Sequence, residues 1–491
     1  AEAVTTARTV TYAGESIAVS KTVSRGGVAA RTETETIDAK NGNAAVGGTV
    51  GGRTTLVATR VESGNGLGRK ASETDERGLT TAYTYDAEGR TLTVTETGAG
   101  QTRVTSHVYT ADPLDRRPWM TTETVDGVTV RTDSFMEATG EDGGLIEATA
   151  ACGLLTTTFY YPADSQNRVE AGRVRARVRP DGRMTTYAYA YDAATETMVE
   201  TATEGIDTDG FGTFATVPGK STRTLTTTDA RGDAVRVERQ ALIGEDWVPL
   251  TWEERTYNAA HQHTGSTFSN GKSTDSAWIC TGPLWEIDEL GIVTTNVYDS
   301  VKLRVSSTRQ GPRGALTTTY VRDAEGRETE TTRGTLTSAA TYDLSGRLLS
   351  ETDEQGLTTA YAYPDERTTV TTLPGGGTRV VTLDAAGRVA SVTGTAVTPE
   401  WHTYGPDWEL VHYGEENGAR WTKTFMDGLG RVVREERAGA NGSVLTTENT
   451  YNAKGQLVQV ERTGQATVVY GYDEWGDRVS TQVGDRATLT E

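Results

Sequence analysis

A short phrase that returns along the chain constrains its fold more than any other feature. The phrase is Tyr-Asp, two variable residues, Gly and Arg, and it is complete at 85–90 and at 342–347. Looser copies follow, with Asp323 and Asp343 lying 20 residues apart and Asn452 and Asp473 lying 21 apart. Self-similarity at a fixed short period indicates a stack of like supersecondary units, not a series of unrelated domains.

The chemistry of the phrase predicts a tight turn between two strands. The turn is the Asp-x-x-Gly part of the phrase. Its first residue, Asp, accepts hydrogen bonds from the backbone ahead of it, and its fourth residue, Gly, adopts a positive φ without steric cost. The flanks alternate with period two, as in Tyr187, Tyr189 and Tyr191, which is typical of strands. We therefore predict an all-β protein, a long antiparallel meander of β-hairpins, with Gly89 and Gly346 at positive φ.

One copy departs from this turn in an informative way. It begins at Tyr161 and, counted from Asp164, places Asn167 where the glycine is expected. Asn visits the left-handed region more readily than most residues. We expect Asn167 to replace the glycine in this turn.

The repeated Tyr-Asp-x-x-Gly-Arg phrase resembles the signature of the YD-repeat or RHS-repeat proteins, which include bacterial RHS toxins, Tc-toxin shell components and teneurins. The resemblance covers roughly residues 71–491 with gaps. It implies a sheet wound as a spiral that encloses a hollow chamber. The terminal RHS-core pattern of that family is not found, and the chain is short for a complete cocoon. We therefore expect a segment of a larger shell or an open spiral.

The spacing of the copies suggests how the chain is organised. Residues 1–70 lack a full motif and predict a faded-repeat or capping β region, whereas 71–491 predict the spiral itself. Insertions are expected near 110–180, 241–290 and 394–424.

Composition limits the partners. The formal charge of −20 argues against nucleic acid, and no apolar run approaches the length of a membrane span. We expect no cofactor and an extracellular or cell-surface location.

Cys152 and Cys280 are the only cysteines. We expect two buried thiols, with one disulfide as the alternative in an oxidising compartment.

The segment 401–414 is the first candidate for chemistry. It carries two of the five histidines, His402 and His412, together with aromatic residues. Histidine with tyrosine can act as base and acid, and aromatic faces stack on sugar rings. The alternative is a hairpin whose aromatics only cover the sheet. The candidate catalytic residues are His402, Tyr404, His412 and Tyr413, and the candidate sugar platforms are Trp401 and Trp408.

A row of arginines is the second candidate. Arg173, Arg175, Arg177 and Arg179 alternate with small apolar residues, so a strand would place all four on one face. Such a face could bind an anionic polysaccharide. The alternative is pairing with Asp and Glu on neighbouring strands, as is expected in an acidic chain.

Two further patterns favour structure over chemistry. His261 and His263 could share one strand face as metal ligands, but no third ligand is identifiable. The stretch 204–210 offers Asp207 and Asp209 in the manner of a calcium loop, without the remaining ligands. We interpret both as turns and predict no metal site.

The sequence supports two functional hypotheses. The first is a non-enzymatic β-spiral shell or scaffold that encloses a cargo polypeptide or presents an adhesion surface. The alternative is a carbohydrate-active β protein, a polysaccharide lyase or glycoside hydrolase if it is an enzyme, that binds or cleaves an anionic polysaccharide. Convergence of the three insertions on one groove would favour the alternative, whereas scattering along the edges would favour the shell.

Overall fold

A computed structural model describes residues 4–14, 16–25, 27–38, 45–50, 53–61, 64–209 and 212–489. Strands account for almost all of the regular structure in these ranges, with one 3-10 turn at Ala440–Gly442. The first group of strands comprises β1 (Val4–Ala13), β2 (Ser16–Arg25), β3 (Val28–Asp38), β4 (Ala45–Val50), β5 (Arg53–Arg60), β6 (Lys70–Asp75), β7 (Thr80–Tyr85), β8 (Thr91–Gly98), β9 (Gln101–Val108), β10 (Met120–Val125), β11 (Val128–Thr139), β12 (Leu145–Ala151), β13 (Leu154–Tyr160) and β14 (Val174–Val178).

The next group continues without a change of architecture. It comprises β15 (Arg183–Asp192), β16 (Thr197–Asp207), β17 (Phe214–Ala215), β18 (Thr222–Thr228), β19 (Ala234–Ile243), β20 (Asp246–Tyr257), β21 (His263–Phe268), β22 (Ser273–Ile279), β23 (Gly282–Ile287), β24 (Val293–Tyr298), β25 (Arg304–Gly311), β26 (Gly314–Arg322), β27 (Glu328–Arg333) and β28 (Leu336–Tyr342).

The last group carries the sheet to the end of the described chain. It comprises β29 (Leu348–Thr352), β30 (Thr358–Ala362), β31 (Thr368–Thr372), β32 (Thr378–Leu383), β33 (Val389–Thr393), β34 (Glu400–Tyr404), β35 (Trp408–Tyr413), β36 (Trp421–Met426), β37 (Val432–Ala438), β38 (Val444–Tyr451), β39 (Leu457–Arg462), β40 (Val468–Tyr472), β41 (Arg478–Val483) and β42 (Arg486–Leu489).

Neighbours in sequence are neighbours in the sheet. Each strand pairs antiparallel with the next, for example β6 with β7, β28 with β29 and β40 with β41. The one variation is at β16, which pairs with the short β17 and also with β18. The predicted all-β antiparallel meander is confirmed.

The repeated phrase lies at the predicted turns. Gly89 has φ 74° and Gly346 has φ 86°, so both predicted positive φ values are confirmed. A register shift falls at the motif tyrosine in many of the copies, including Tyr85, Tyr342 and Tyr472. Each such unit is thus a hairpin with a β-bulge beside its turn, and a bulge increases the local twist of the sheet.

The expectation for Asn167 is wrong. Asn167 is not among the residues with positive φ, whereas Gly172 has φ 69°. The backbone N–H of Tyr161 donates to Arg173 O at 2.9 Å, so the turn spans 161–173. The copy is therefore a Tyr–Gly–Arg repeat with a longer loop, closed by Gly172 and Arg173, and Asn167 begins a turn inside that loop by accepting from the N–H of Glu170.

The sheet returns upon itself after many strands. Ser345 Oγ, in the turn between β28 and β29, donates to Val50 O at the end of β4 (3.1 Å). Arg367 Nε, between β30 and β31, donates to Arg77 O between β6 and β7 (2.8 Å). In both cases the partner hairpin lies twenty-four strands earlier. We call β1–β25 the first coil, β26–β42 the second coil, and the line of turn contacts between them the seam.

Both faces of this sheet remain accessible to solvent. The accessible surface is 27721 Å² for a mass of 52.6 kDa. A compact monomer of that mass exposes roughly 17,600 Å². Buried apolar side chains are scattered along the described chain, among them Val125, Met184, Val392 and Val460. The strands therefore form a single-layer wall whose order comes from hydrogen-bonded ladders and from stacked turns.

The two cysteines are free. Cys152 is half-buried in the turn after β12, and Cys280 is exposed in the turn after β22. The expectation of two buried thiols is therefore wrong, since Cys152 is only half-buried and Cys280 is exposed. Among the described residues, no helix is long and apolar enough to cross a membrane.

Candidate functional site

Each complete repeat links its turn to the following repeat. Asp343 Oδ1 accepts the backbone N–H of Ser345 and of Arg347, both at 2.9 Å, and its Oδ2 accepts Arg347 Nε at 2.7 Å. The Arg347 guanidinium lies 4.3 Å from the ring centroid of Tyr363. The Tyr363 hydroxyl then donates to Leu348 O at 2.8 Å. One turn thereby orders the tyrosine of the next hairpin, through a charge-assisted bond and a cation–π contact.

The same links recur in other copies of the repeat, and in some copies a different pair of side chains forms them. Arg388 and Arg431 pair with Asp384 and Asp427 and lie over Tyr404 and Tyr451 at 4.2 and 4.3 Å. At 452–456 a neutral pair replaces the ion pair, since Asn452 Nδ2 donates to Gln456 Oε1 at 2.8 Å. Asn258 and Gln262 form an equivalent pair at 2.8 Å. Where the first and fifth side chains of the turn pair with each other, the pair is therefore either charged or neutral.

A cavity of about 640 Å³ lies at the seam. The first coil lines it with residues of β8–β11, including Arg103, Glu123 and Val125, and the second coil lines it with the turns around 386–388, 404–408 and 426–430. Gln101 Nε2 bridges the coils beside it by donating to Tyr404 O at 3.1 Å. The cavity is therefore built by tertiary contact between segments about 300 residues apart in the sequence.

Most charged groups around the cavity are paired. Arg103 lies 3.2 Å from Glu123, and Arg131 lies 2.8 Å from Asp133. The hydrogen bond that Arg131 donates to Asp133 raises the pKa of Arg131. Burial alone would raise the pKa of Asp427, but the hydrogen bonds from Arg431 outweigh it and hold that pKa below its ordinary value. These pairings leave the cavity close to charge balance.

The hairpin of β34 and β35 separates the two candidate histidines. His402 pairs with Val411 and Trp401 pairs with His412, so the imidazoles of His402 and His412 lie on opposite faces. His402 Nδ1 contacts Glu409 Oε1 at 2.8 Å, and His412 Nδ1 contacts Gly418 O at 2.9 Å. The hairpin therefore does not bring the two histidines together, because their register differs by one residue.

The candidate tyrosines and tryptophans take structural positions. The Tyr404 hydroxyl donates to Val389 O at 2.8 Å, and burial, followed by Glu409, raises the pKa of Tyr404 far above its ordinary value. Arg420 lies over the ring of Tyr413 at 5.3 Å, and Lys423 lies over the ring of Trp408 at 3.9 Å. Trp401 lies on the His412 face of the hairpin. A catalytic role for these residues stays a prediction.

The arginine row does not form one open face. A bulge between Phe159 and Tyr160 interrupts the pairing of β13 with β14, and Arg175 lies over the Phe159 ring. Arg175 pairs with Asp142, and Arg179 lies 3.8 Å from Glu204. Arg173 lies 5.0 Å over Tyr189, which is the role of the repeat arginine. Arg177 is exposed, and its strand neighbours are Thr158 and Thr185. Binding of an acidic sugar here stays a prediction.

His261 lies in a turn and His263 begins β21. His261 occupies the glycine position of its turn with φ 60° and contacts Asp233 Oδ1 at 2.9 Å. His263 Nε2 contacts Ser266 Oγ at 2.8 Å. Among the described residues, no group of three or more His, Cys, Asp or Glu side chains could hold a metal ion.

The three insertions converge only in part. Segments 110–180 and 394–424 both contribute lining to the seam cavity, whereas no residue of 241–290, all of which the structure describes, lines it. Sequence reasoning missed the residues that join the coils, among them Gln101, Arg183 and Lys220, because nothing in a single hairpin reveals which distant turn will contact it.

Comparison with known proteins agrees with the repeat pattern. Residues 288–404 match the family model described as Teneurin YD-shell. No curated protein matches the sequence. The crystal structure of TcdB2-TccC3 aligns with a TM-score of 0.41 and 14% identity, over 98% of this chain and 31% of that chain. The Photorhabdus luminescens Tc holotoxin pore aligns with a TM-score of 0.32 and 14% identity, over 96% of this chain and 26% of that chain.

This chain spans less than a third of either of those chains. The family match falls on the stretch that contains the complete repeat at 342–347. The resemblance to the YD-repeat proteins is thereby confirmed by the match of residues 288–404 to the Teneurin YD-shell model.

Proposed function

We propose that the chain is a non-enzymatic segment of a β-spiral shell that encloses a cargo polypeptide. The observation that carries this proposal is the wall itself: one layer of strands returns upon itself after twenty-four strands and leaves both faces accessible. A curved wall with two wet faces separates an inner from an outer surface. Compact β proteins bury one face of each sheet instead.

The carbohydrate-active alternative has less support. His402 and His412, two of its candidate catalytic residues, lie on opposite faces of their hairpin. Of its four candidate arginines, Arg175 pairs with Asp142 and Arg173 lies over Tyr189. Screening the protein against uronic-acid polysaccharides remains its direct test. If the wild type cleaves such a polysaccharide and His402→Ala does not, the shell proposal is refuted and the enzyme hypothesis is supported.

Protease protection tests enclosure. An unfolded lysine-rich polypeptide is fused behind Glu491, and its trypsin cleavage is compared with that of the same polypeptide fused to a compact β domain. Enclosure predicts slower cleavage in the spiral fusion and equal cleavage once the spiral is unfolded by denaturant. Equal rates under native conditions would refute enclosure and leave the adhesion surface as the shell's role.

The proposal includes an extracellular or cell-surface location. The formal charge of −20 gives a strongly hydrated surface. Fractionation of producing cells, with detection of the chain in the medium or on the surface, tests this. Recovery in the cytosolic fraction alone would contradict it.

A further inference from the structure

The turn at 473–477 lacks the cation that the repeat normally supplies. In complete repeats, the arginine at the fifth position neutralises the aspartate at the first, as Arg347 does for Asp343. In this turn the fifth residue is Asp477, whose backbone N–H donates to Asp473 Oδ1 at 2.9 Å. The turn geometry is therefore kept while two carboxylates are placed side by side.

The cations come from the first coil. Lys220 Nζ donates to the Asp473 carboxylate and lies 2.8 Å from Asp477 Oδ2. Arg183 Nη2 lies 3.6 Å from Asp477 Oδ1, and Arg183 Nε donates to Trp475 O at 2.6 Å. The Arg183 guanidinium also lies over the indole of Trp475 at 5.4 Å, and that residue is only 7% exposed. Two basic side chains of one coil thus contact one turn of the other.

A second Asp–Asp turn shows that the cation can come from the same coil. In the turn 229–233, Arg231 lies 3.2 Å from Asp229 and 3.1 Å from Asp233. His261, in the following hairpin, contacts Asp233 at 2.9 Å. Charge neutralisation there needs no contact across the seam. The arrangement at 473–477 therefore joins the coils, and is not a necessary consequence of the Asp–Asp pattern.

We propose that the 473–477 turn is an electrostatic clasp that fastens the β40–β41 hairpin to the first coil and releases it as ionic strength rises. The side chains of Lys220, Asp473 and Asp477 are 34%, 25% and 51% exposed, so salt screens their attraction. In turns such as 343–347 the ion pair lies within one hairpin. Salt weakens that pair without removing a contact between coils.

Hydrogen exchange of the full chain tests the clasp. Amides of β40 and β41 are compared with those of β28 and β29 at about 0.1 M and about 1 M NaCl, where the screening length falls from roughly 10 Å to 3 Å. Lys220→Met is expected to speed exchange in β40–β41 roughly threefold at low salt, the size expected for exposed ion pairs. At high salt the variant and the wild type should exchange alike.

The controls separate charge from folding. Lys220→Arg keeps the charge and should retain protection, and Lys272→Met removes a lysine whose partner, Glu289, lies in the same coil. If Lys220→Met does not fold, Asp477→Asn provides a milder loss of the same contact. Unchanged low-salt exchange in the folded variant, or a difference that persists at high salt, would overturn the clasp.

Discussion

At the residue scale, each member of the repeated phrase has a separate physical task. The aspartate binds two backbone N–H groups and the arginine, the glycine permits the positive φ, and the tyrosine returns a hydrogen bond to the preceding hairpin. These tasks depend on spacing, because the paired side chains meet only when they stand at the first and fifth residues of the turn. The longer loop closed by Gly172 and Arg173 keeps the tasks of glycine and arginine while losing that of the aspartate.

The first prediction concerns the turn glycine. Gly346→Val should destabilise the protein by about 1–2 kcal/mol, because a β-branched side chain resists the left-handed region. A Cβ at Gly346 would also lie 3.1 Å from Arg327 Nη1, which is able to move. Thermal or denaturant unfolding measures the cost. Gly375→Val is the matched control, since a Cβ there meets nothing within 4 Å and no positive φ is required. Equal costs for the two variants would contradict the argument.

The second prediction concerns pH. Burial would raise the pKa of Asp343, but the backbone and side-chain hydrogen bonds from Arg347 outweigh it and lower that pKa. The folded pKa lies below the unfolded value of about 3.9, so the pair stabilises the fold above that pH and the contribution is lost as pH falls through the folded pKa.

Asp343→Asn should therefore cost about 1 kcal/mol at neutral pH and much less in strong acid. Unfolding measured from pH 7 down to pH 2 tests this. Asp353→Asn is the control, because its carboxylate accepts the N–H groups of Gln355 and Leu357 and its turn has no arginine at the fifth position. The same acid dependence of unfolding in both variants would contradict this prediction.

At the element scale, the hairpin is the unit and its turn tolerates more than one chemistry. Ion pairs at 343–347 and 427–431 and amide pairs at 258–262 and 452–456 produce the same turn. Both kinds connect the first to the fifth position at nearly equal distances. In these turns a single substitution breaks the pairing of the two side chains, whereas a matched pair of substitutions can preserve it.

The third prediction follows from that interchange. Asp343→Asn and Arg347→Gln together should cost less than the sum of the two single substitutions, by about 0.5–1 kcal/mol, because the amides bond to each other. A double-mutant cycle from unfolding data measures the coupling. The stacking of Arg347 on Tyr363 is lost in both variants that carry Arg347→Gln, so it cancels in the cycle. Strict additivity would show that the two side chains do not act as a pair.

At the scale of the whole molecule, the seam decides the shape. Turns of the second coil contact the first coil directly, so close backbone approach matters. An ideal Cβ at Gly428 would lie 2.3 Å from Val130 O and 2.5 Å from Cys152 Sγ. Glycine is required here for proximity and not for φ, since Gly428 is not among the glycines at positive φ.

The fourth prediction uses that contact. Gly428→Ala should force the coils apart locally, cost about 1–3 kcal/mol as overpacking does, and speed the labelling of Cys152 by a thiol reagent. Cys280, which is exposed and is not among the atoms closest to the Cβ position of Gly428, is the internal reference within the same molecule. Gly375→Ala should change neither thiol. Unchanged labelling of Cys152 in Gly428→Ala would mean that the coils do not meet at this point.

The sequence by itself determined the hairpins. Turn chemistry and period-two alternation are local, so Gly89 and Gly346, the antiparallel order and the all-β class could be predicted from neighbouring residues. The same locality explains why the expectation for Asn167 was wrong and why the opposite faces of His402 and His412 could not be predicted. A loop insertion moved the true closing glycine to 172, and one residue of register decided which face each imidazole occupies.

Only the tertiary structure decided which turns meet. The curvature that returns the wall after twenty-four strands is the sum of small twists and bulges over many hairpins, and a repeat of about 20 residues carries no record of that sum. The seam cavity, the close approach at Gly428 and the cations that Lys220 and Arg183 bring to Asp473 and Asp477 all depend on it. A missing arginine at 477 is visible in the sequence, but its replacement from the first coil is visible only in the folded molecule.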